Sequence, residues 1–166
     1  MAGRPSGLSL VPDSDIDVGE DVAILDSRGR FLIPSRIASS VAWLPGLQKN
    51  KDRCYALAVC AERGAIRLLH WEDHAESVLQ RRKALVEMGD LDSILLLEYR
   101  YRRFQIPKDL RLTIGASGAA HLGVDPETSV SMYVSFKSNS ISIITQAYRD
   151  KELADADAKA LFIDLP

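Results

Sequence analysis

One sequence pattern occurs twice in this chain of 166 residues, and it constrains the fold more than any single motif. The first copy, at 25–37, reads Leu-Asp-Ser-Arg-Gly-Arg-Phe-Leu-Ile-Pro-Ser-Arg-Ile, and the second, at 98–110, reads Glu-Tyr-Arg-Tyr-Arg-Arg-Phe-Gln-Ile-Pro-Lys-Asp-Leu. Placing Pro34 on Pro107 gives an offset of 107 − 34 = 73 and aligns Arg-Phe-x-Ile-Pro. Each copy combines a basic turn, a short apolar strand and a proline before a helix, which predicts an internally duplicated architecture.

The first copy predicts a hairpin, a short helix, a second hairpin and a long helix. Ser27-Arg28-Gly29 supplies the tight turn of the first hairpin, because glycine adopts positive φ without steric cost. Pro34 has no N–H to donate and therefore suits the start of a helix. Apolar runs and alternation predict strands at 22–25, 31–33, 54–60 and 65–70, and helices at 35–43 and 71–88.

The second copy predicts the same order of elements. Its first hairpin consists of a strand at 94–99, a turn at 100–102 and a strand at 103–106, and a helix begins at 108–112. The second hairpin and the last helix are predicted at 129–136, 141–145 and 146–160.

One copy alone is too small to cover its own apolar faces, so we expect two copies to close a shared β-barrel. The predicted fold class is α+β, mainly β, with short peripheral helices. The predicted organisation is a flexible acidic arm at 1–20, a first repeat at 21–91, a second repeat at 92–150 and an acidic tail at 151–166.

Charge is distributed unevenly along the chain, whose formal net charge is −2. Residues 1–21 and 149–166 hold 4 of the 21 basic and 10 of the 23 acidic side chains, which leaves 17 basic and 13 acidic ones in between. The central part therefore carries a net charge of +4, and attraction to an anion such as nucleic acid depends on local charge of this kind. The alternative, that both acidic ends only keep the chain soluble, stays open.

Several classes of protein are disfavoured by the sequence. No apolar run approaches the roughly 20 residues of a membrane helix, and the first residues do not resemble a secretory signal. Cys54 and Cys60 are too few for a disulfide framework and lie in a predicted strand, which indicates small core residues in a reducing cytoplasm. His70 and His74 have the i, i+4 spacing of zinc ligands but no evident third ligand. We therefore expect no metal, no cofactor and no enzymatic activity.

The stretch "LDSRGRFLIPSRI" resembles the signature of the AbrB/SpoVT/MraZ superfamily of bacterial DNA-binding proteins. In that signature a strand, an Asp-x-x-Gly-Arg turn and a strand ending in Ile-Pro follow one another. The later stretch "HLGVDPETSVSMYV…ISIIT" resembles the second hairpin of the same motif. The two-copy layout, over about residues 22–150, is closest to the MraZ-like arrangement.

The resemblance implies a duplicated swapped-hairpin β-barrel. It also implies a nucleoid-associated, cytoplasmic transcription regulator that binds double-stranded DNA as a homo-oligomer. It places Arg28 and Arg30 of copy one against DNA, with Tyr101 and Arg103 at the matching positions of copy two, and it implies that Asp26 stabilises the first turn.

Copy two departs from the family pattern. At the offset of 73, Tyr99 and Arg102 replace the acid and the glycine of the turn, and 112–120 looks like an insertion. We therefore keep a second hypothesis beside DNA binding. In that hypothesis the chain is a protein-interaction module, antitoxin-like or scaffolding, that has lost DNA binding and kept assembly.

Arginine and lysine side chains carry the predicted DNA contacts, because a guanidinium fork can donate two hydrogen bonds to a phosphate or to guanine. Arg111 belongs to the same basic stretch of copy two. The simpler alternative is a solvated strand face with salt bridges. The predicted DNA-binding residues are Arg28, Arg30, Arg36, Arg100, Arg102, Arg103 and Lys108.

Overall fold

Eight strands and five helices lie in the computed structural model, which describes residues 21–44, 52–135 and 138–164. The predicted acidic arm at 1–20 lies outside the described residues. The strands are β1 (Asp21–Ile24), β2 (Arg30–Leu32), β3 (Arg53–Val59), β4 (Ala65–His70), β5 (Tyr101–Pro107), β6 (Arg111–Thr113), β7 (Ser129–Ser135) and β8 (Ser140–Ile144). The helices are α1 (Ser35–Ser40), α2 (Trp71–Met88), α3 (Leu91–Arg100), α4 (Gly115–Leu122) and α5 (Gln146–Asp164).

Six of these strands form one antiparallel sheet in the order β1-β7-β8-β4-β3-β5. This order is symmetric: exchanging β1, β3 and β4 with β5, β7 and β8 gives the same order read from the opposite edge. The first strand of each half lies at an edge and pairs with the second hairpin of the other half, β1 with β7 and β5 with β3. The remaining strands, β2 and β6, pair with each other in a separate two-stranded ribbon.

The core lies on one face of the sheet, where alternate side chains of the strands are buried. Ile66 and Leu68 of β4 and Ile141 and Ile143 of β8 are almost fully buried at the centre. The ribbon covers this core with side chains from both of its strands, and the full set of buried apolar residues forms one cluster. Both halves of the chain therefore contribute to a single hydrophobic core.

The predicted α+β class is confirmed, and so are both second hairpins, the helix at 71–88 and the last helix, which begins at Gln146. The expectation of only short peripheral helices is wrong, because α2 and α5 have 18 and 19 residues. The expected barrel is wrong in the described residues, because the sheet is open and ends at β1 and β5. The physical reason is the pairing of β2 with β6, since these three-residue strands bond to each other and do not bridge the two edges.

The strand predicted at 94–99 is instead part of α3, and the turn predicted at 100–102 is the junction between α3 and β5. A short apolar run does not by itself distinguish a helix from a strand. Asp90 decides the matter, because its carboxylate accepts the backbone N–H of Ser93 at 3.1 Å and caps the helix. The inward residues Ile94 and Leu97 then follow helical spacing.

The helix predicted at 108–112 is also wrong, because a turn at 107–110 leads there into β6. The pairing of Phe31 with Leu112 makes β6 the counterpart of β2, so the first hairpins are related by 112 − 31 = 81 residues and not by 73. The stretch 112–120 is not an insertion, since it contains the end of β6 and most of α4, which correspond to β2 and α1.

Candidate nucleic-acid interface

Two tight turns of the same backbone form lead into the ribbon. In the Asp26 turn (residues 26–29), the Gly29 N–H donates to the Asp26 carbonyl at 3.1 Å. In the Pro107 turn (residues 107–110), the Leu110 N–H donates to the Pro107 carbonyl at 2.9 Å. The fourth residue of each turn has positive φ, 74° at Gly29 and 63° at Leu110.

At each end of the ribbon, a backbone hydrogen bond joins the last residue of one turn to the strand on the opposite side. The Ile33 N–H donates to the Leu110 carbonyl at 2.9 Å, and the Ile114 N–H donates to the Gly29 carbonyl at 3.0 Å. These two bonds place the turns at opposite ends of the ribbon. Four residue steps at about 3.4 Å separate the ends, so the turns lie roughly 14 Å apart along the strands.

The carboxylate of Asp26 organises its turn. It accepts the backbone N–H of Arg28 at 2.8 Å and that of Arg30 at 2.9 Å, and its second oxygen lies 2.9 Å from Nε of Arg30. Loss of solvent would raise the pKa of Asp26, but the backbone N–H donors of Arg30 and Arg28 and the Arg30 guanidinium outweigh it and hold the pKa below its usual value. Asp26 thus stabilises the turn, as the family resemblance implies.

The outer face of the ribbon carries cations between the two turns. Strand alternation buries Phe31 and Leu112 and turns Arg30 and Arg111 outward. The side chain of Arg30 retains 28% exposure beside Asp26, whereas Arg111 is more open and its Nε lies 3.7 Å from Asp109.

Exposed cations also lie at both ends of the ribbon. Arg28 lies in the Asp26 turn and Lys108 in the Pro107 turn, and both are exposed to solvent. Arg36 lies nearby on α1, where its Nε contacts the Asp21 carboxylate at 3.0 Å. Four predicted DNA-binding residues, Arg28, Arg30, Arg36 and Lys108, therefore come together around the ribbon and the strand before it.

The other three predicted residues lie at the end of α3 and the start of β5, and not in a hairpin turn. Arg102 donates to the Ser117 hydroxyl at 2.7 Å and lies over the Tyr99 ring. Arg100 ends α3 and is exposed. The assignment of Tyr101 to a turn position equivalent to that of Arg28 is wrong, because Tyr101 begins an edge strand.

Arg103 is stacked on aromatic rings. Its guanidinium lies 3.7 Å from the centroid of Tyr55 and 5.1 Å from that of Trp71. Stacking of this kind orients an arginine while leaving its N–H edges able to donate. A groove of about 300 Å³ runs from Arg103 to Thr113, the residue that pairs with Arg30, and so connects the start of β5 to the ribbon.

Arg111 is the residue that the predicted set of DNA contacts omits. The offset of 73 places it in a helix, whereas the structure places it opposite Leu32 on the ribbon. The sequence signal that could have found it is the alternation of Leu110, Leu112 and Ile114 directly after Lys108 and Asp109, since a period of two is typical of a strand.

His70, His121 and both cysteines are surrounded by other residues of the fold. His70 ends β4, where its ring stacks on Trp43 and its Nδ1 lies 3.1 Å from Asp73. His121 is buried between the Tyr99 hydroxyl and the Ala65 carbonyl, each at 3.0 Å. Both cysteines are buried, as predicted, and neither forms a disulfide within the described residues. Within residues 21–44, 52–135 and 138–164, no three His, Cys, Asp or Glu residues come together as a metal site.

A larger concavity of about 790 Å³ lies on the outer face of the sheet, between β4, β7, β8 and the first turns of α5. Arg149 borders it and donates to the Tyr133 hydroxyl. Burial, together with the acidic neighbours Glu62 and Glu152, raises the pKa of Tyr148 there to about 12. The ribbon and its turns contribute nothing to this concavity, so it is separate from the basic surface.

No protein-family model and no curated protein matches this sequence. None of the described helices combines the length and the apolar character needed to cross a bilayer. The class of site is therefore defined by its geometry alone, as a two-stranded ribbon that carries cations on its outer face and at both ends.

Proposed function

We propose that this protein is a cytoplasmic, nucleoid-associated bacterial transcription regulator without enzymatic activity, which binds double-stranded DNA as a homo-oligomer. The ribbon and its two turns form the DNA-binding surface. We interpret the symmetric strand order as the swapped-hairpin duplication that the resemblance to the AbrB/SpoVT/MraZ superfamily implies.

One observation carries the proposal, the pairing of β2 with β6. It brings Arg28 and Lys108, which are 80 positions apart in the chain, to the two ends of one small surface with Arg30 and Arg111 between them. The spacing of roughly 14 Å between the turns is comparable to the width of the major groove of B-DNA, about 12 Å. A two-stranded ribbon in that groove can reach the phosphates on both sides.

The two halves of the ribbon are related by an approximate two-fold exchange, and the two strands of a DNA duplex are also related by two-fold symmetry. Arg28 is the third residue of its turn and Lys108 the second residue of the equivalent turn, so the two cations could contact phosphates of opposite strands. Arg103, held by its aromatic neighbours, would extend the contact along the groove toward β5. Arg30 is partly neutralised by Asp26, so we assign it mainly a positioning role.

Binding to a fluorescently labelled duplex from upstream of the protein's own gene, titrated by anisotropy at several salt concentrations, tests the proposal. The double variant Arg28→Ala/Lys108→Ala should weaken binding and lower the slope of log affinity against log salt by about 2, because each lost phosphate contact removes about one released counterion. Arg63→Ala is the matched control, since Arg63 is also exposed but lies on the turn between β3 and β4.

Two results would contradict the proposed surface. If wild-type protein does not bind duplex at low salt, DNA binding is wrong, and the protein-interaction hypothesis becomes the better one. If wild-type protein binds but Arg28→Ala/Lys108→Ala and Arg63→Ala behave alike, the protein binds DNA through another face.

A further inference from the structure

The hairpin formed by α2 and α3 exposes an unusual amount of apolar side chain. Leu79 and Val86 of α2 are 52% and 50% exposed, and Leu91 and Leu95 of α3 are 64% and 57% exposed. Ala75 is the residue of α2 that is buried, so this helix packs little of its surface against the core. A stable helix in water normally buries an apolar stripe, which indicates that these residues have a partner.

These four residues lie on one face. Arg82 of α2 and Glu98 of α3 form a salt bridge at 2.9 Å across the surface of the hairpin. Leu79 and Val86 lie one turn to either side of Arg82, and Leu95 lies one turn before Glu98, with Leu91 one further turn away. We call this set, Leu79, Val86, Leu91 and Leu95 around the Arg82–Glu98 ion pair, the hairpin face.

The charge on the hairpin face selects its partner. The face carries one cation and one anion at its centre, both about half exposed, at 46% and 48%. A surface of this kind is complementary to itself, because a two-fold axis through its centre brings the Arg82 of one copy toward the Glu98 of the other. Two-fold interfaces require such self-complementarity, whereas a strongly acidic or basic partner would leave one of the two charges opposite a like charge.

We propose that two copies of this chain associate through their hairpin faces, so that two α2–α3 hairpins form a four-helix bundle. The apolar residues become its interior, and the two ion pairs are shared between copies. The proposal specifies one contact of the homo-oligomer in the proposed function. Its test measures mass without DNA, so the hairpin contact can fail while DNA binding through the ribbon holds, and the reverse.

The first test compares the mass in solution of wild-type protein and Leu95→Glu by light scattering, at concentrations up to about 100 µM. We expect the wild-type mass to be at least twice the 18.3 kDa of one chain, and Leu95→Glu should halve it while the circular dichroism spectrum stays unchanged. The matched control is Leu153→Glu, because Leu153 on α5 is also 57% exposed and should leave the mass as it is.

The second test uses the charges. Arg82→Glu gives a face with two anions and Glu98→Arg a face with two cations, so each variant alone should associate less than wild type. Mixed in equal amounts, they should form a heterodimer. A wild-type mass of 18.3 kDa at every concentration, a Leu95→Glu mass equal to wild type, or a mixture that associates no better than its components would each overturn the proposal.

Discussion

The Asp26 turn and the Pro107 turn have the same backbone and different chemistry. In both turns the N–H of the fourth residue donates to the carbonyl of the first, and the fourth residue has positive φ. The carbonyl of that fourth residue accepts a backbone N–H from the opposite strand. The Asp26 turn is held by a carboxylate that accepts two backbone N–H groups, whereas the Pro107 turn has proline at that position. The shape of the turn is therefore independent of the residues that form the recognisable motif.

The Pro107 turn replaces the motif with other sources of stability. Proline fixes φ at its first residue. Asp109 accepts the backbone N–H of Arg111 at 3.1 Å, in place of the carboxylate bonds in the other turn. Leu110 adopts a left-handed conformation that costs an ordinary residue roughly 1–2 kcal/mol, but its half-buried side chain packs against the core. Packing thus offsets backbone strain in one turn, and glycine avoids that strain in the other.

The largest effect should come from the buried residue that each half contributes to the ribbon. Phe31→Ala should lower the free energy of unfolding by about 4 kcal/mol and Leu112→Ala by about 3 kcal/mol, because both side chains are fully buried. Urea denaturation measures both, and Leu32→Ala on the same strand should cost less than about 0.5 kcal/mol, since Leu32 is 51% exposed. A cost for Leu112→Ala as small as that for Leu32→Ala would show that the halves do not share one core.

A smaller effect should come from changing the residue type at the two turn positions with positive φ, Gly29 and Leu110. Gly29→Ala should cost about 1 kcal/mol from backbone strain, since an added Cβ would meet Gly115 no closer than 3.7 Å. Leu110→Gly should change the free energy of unfolding by less than about 0.5 kcal/mol, because relief of strain and loss of packing offset each other. Thermal unfolding distinguishes the two variants, and equal losses would contradict the assigned roles.

The smallest effect should be the pH dependence that belongs to the Asp26 turn alone. The pKa of Asp26 is lowered in the folded protein. Its contribution to the free energy of unfolding is therefore fully present above the ordinary aspartate pKa, and it is lost as the pH falls through the pKa of the folded state. Wild type should exceed Asp26→Asn in stability at pH 7, and the difference should shrink below about pH 4. Urea denaturation at both pH values measures this.

Asp109→Asn is the matched variant in the Pro107 turn, where the carboxylate accepts one backbone N–H. It should lower stability at pH 7 less than Asp26→Asn does. A wild-type advantage over Asp26→Asn that persists unchanged in acid would contradict the role given to the Asp26 carboxylate.

Periodicity predicted the elements whose apolar residues have one consistent spacing, such as the alternating Val130, Met132 and Val134 of β7. It failed at α3, where the continuous run Ile-Leu-Leu-Leu at 94–97 fits either kind of element and the cap at Asp90 decides. It failed again at the Pro107 turn, because the shared letters Arg-Phe-x-Ile-Pro favoured an offset of 73. Only strand pairing reveals which residues are equivalent, and pairing depends on contacts far apart in the chain.

The positions of the basic residues in the fold were also predicted only in part. Arg28, Arg30 and Lys108 come together as a surface, although the reasoning that selected Lys108 placed it in a helix. Arg100 and Arg102 were predicted in a turn, but Arg100 ends α3 and Arg102 lies in β5, whereas Arg103 lies in a strand as predicted. Local charge counts identify the stretches that are basic, but the register of β2 on β6 determines which cations share a face.

The pairing of β1 with β7 also has a consequence for synthesis of the chain. Asp21 lies opposite Met132, so the partner of the first described strand is translated about 110 residues later. At a synthesis rate of roughly 5–20 residues per second, β1 is made roughly 5 to 20 seconds before β7. Throughout that interval β1 has an open hydrogen-bonding edge, and a neighbouring nascent chain that has already made its own β7 could capture it.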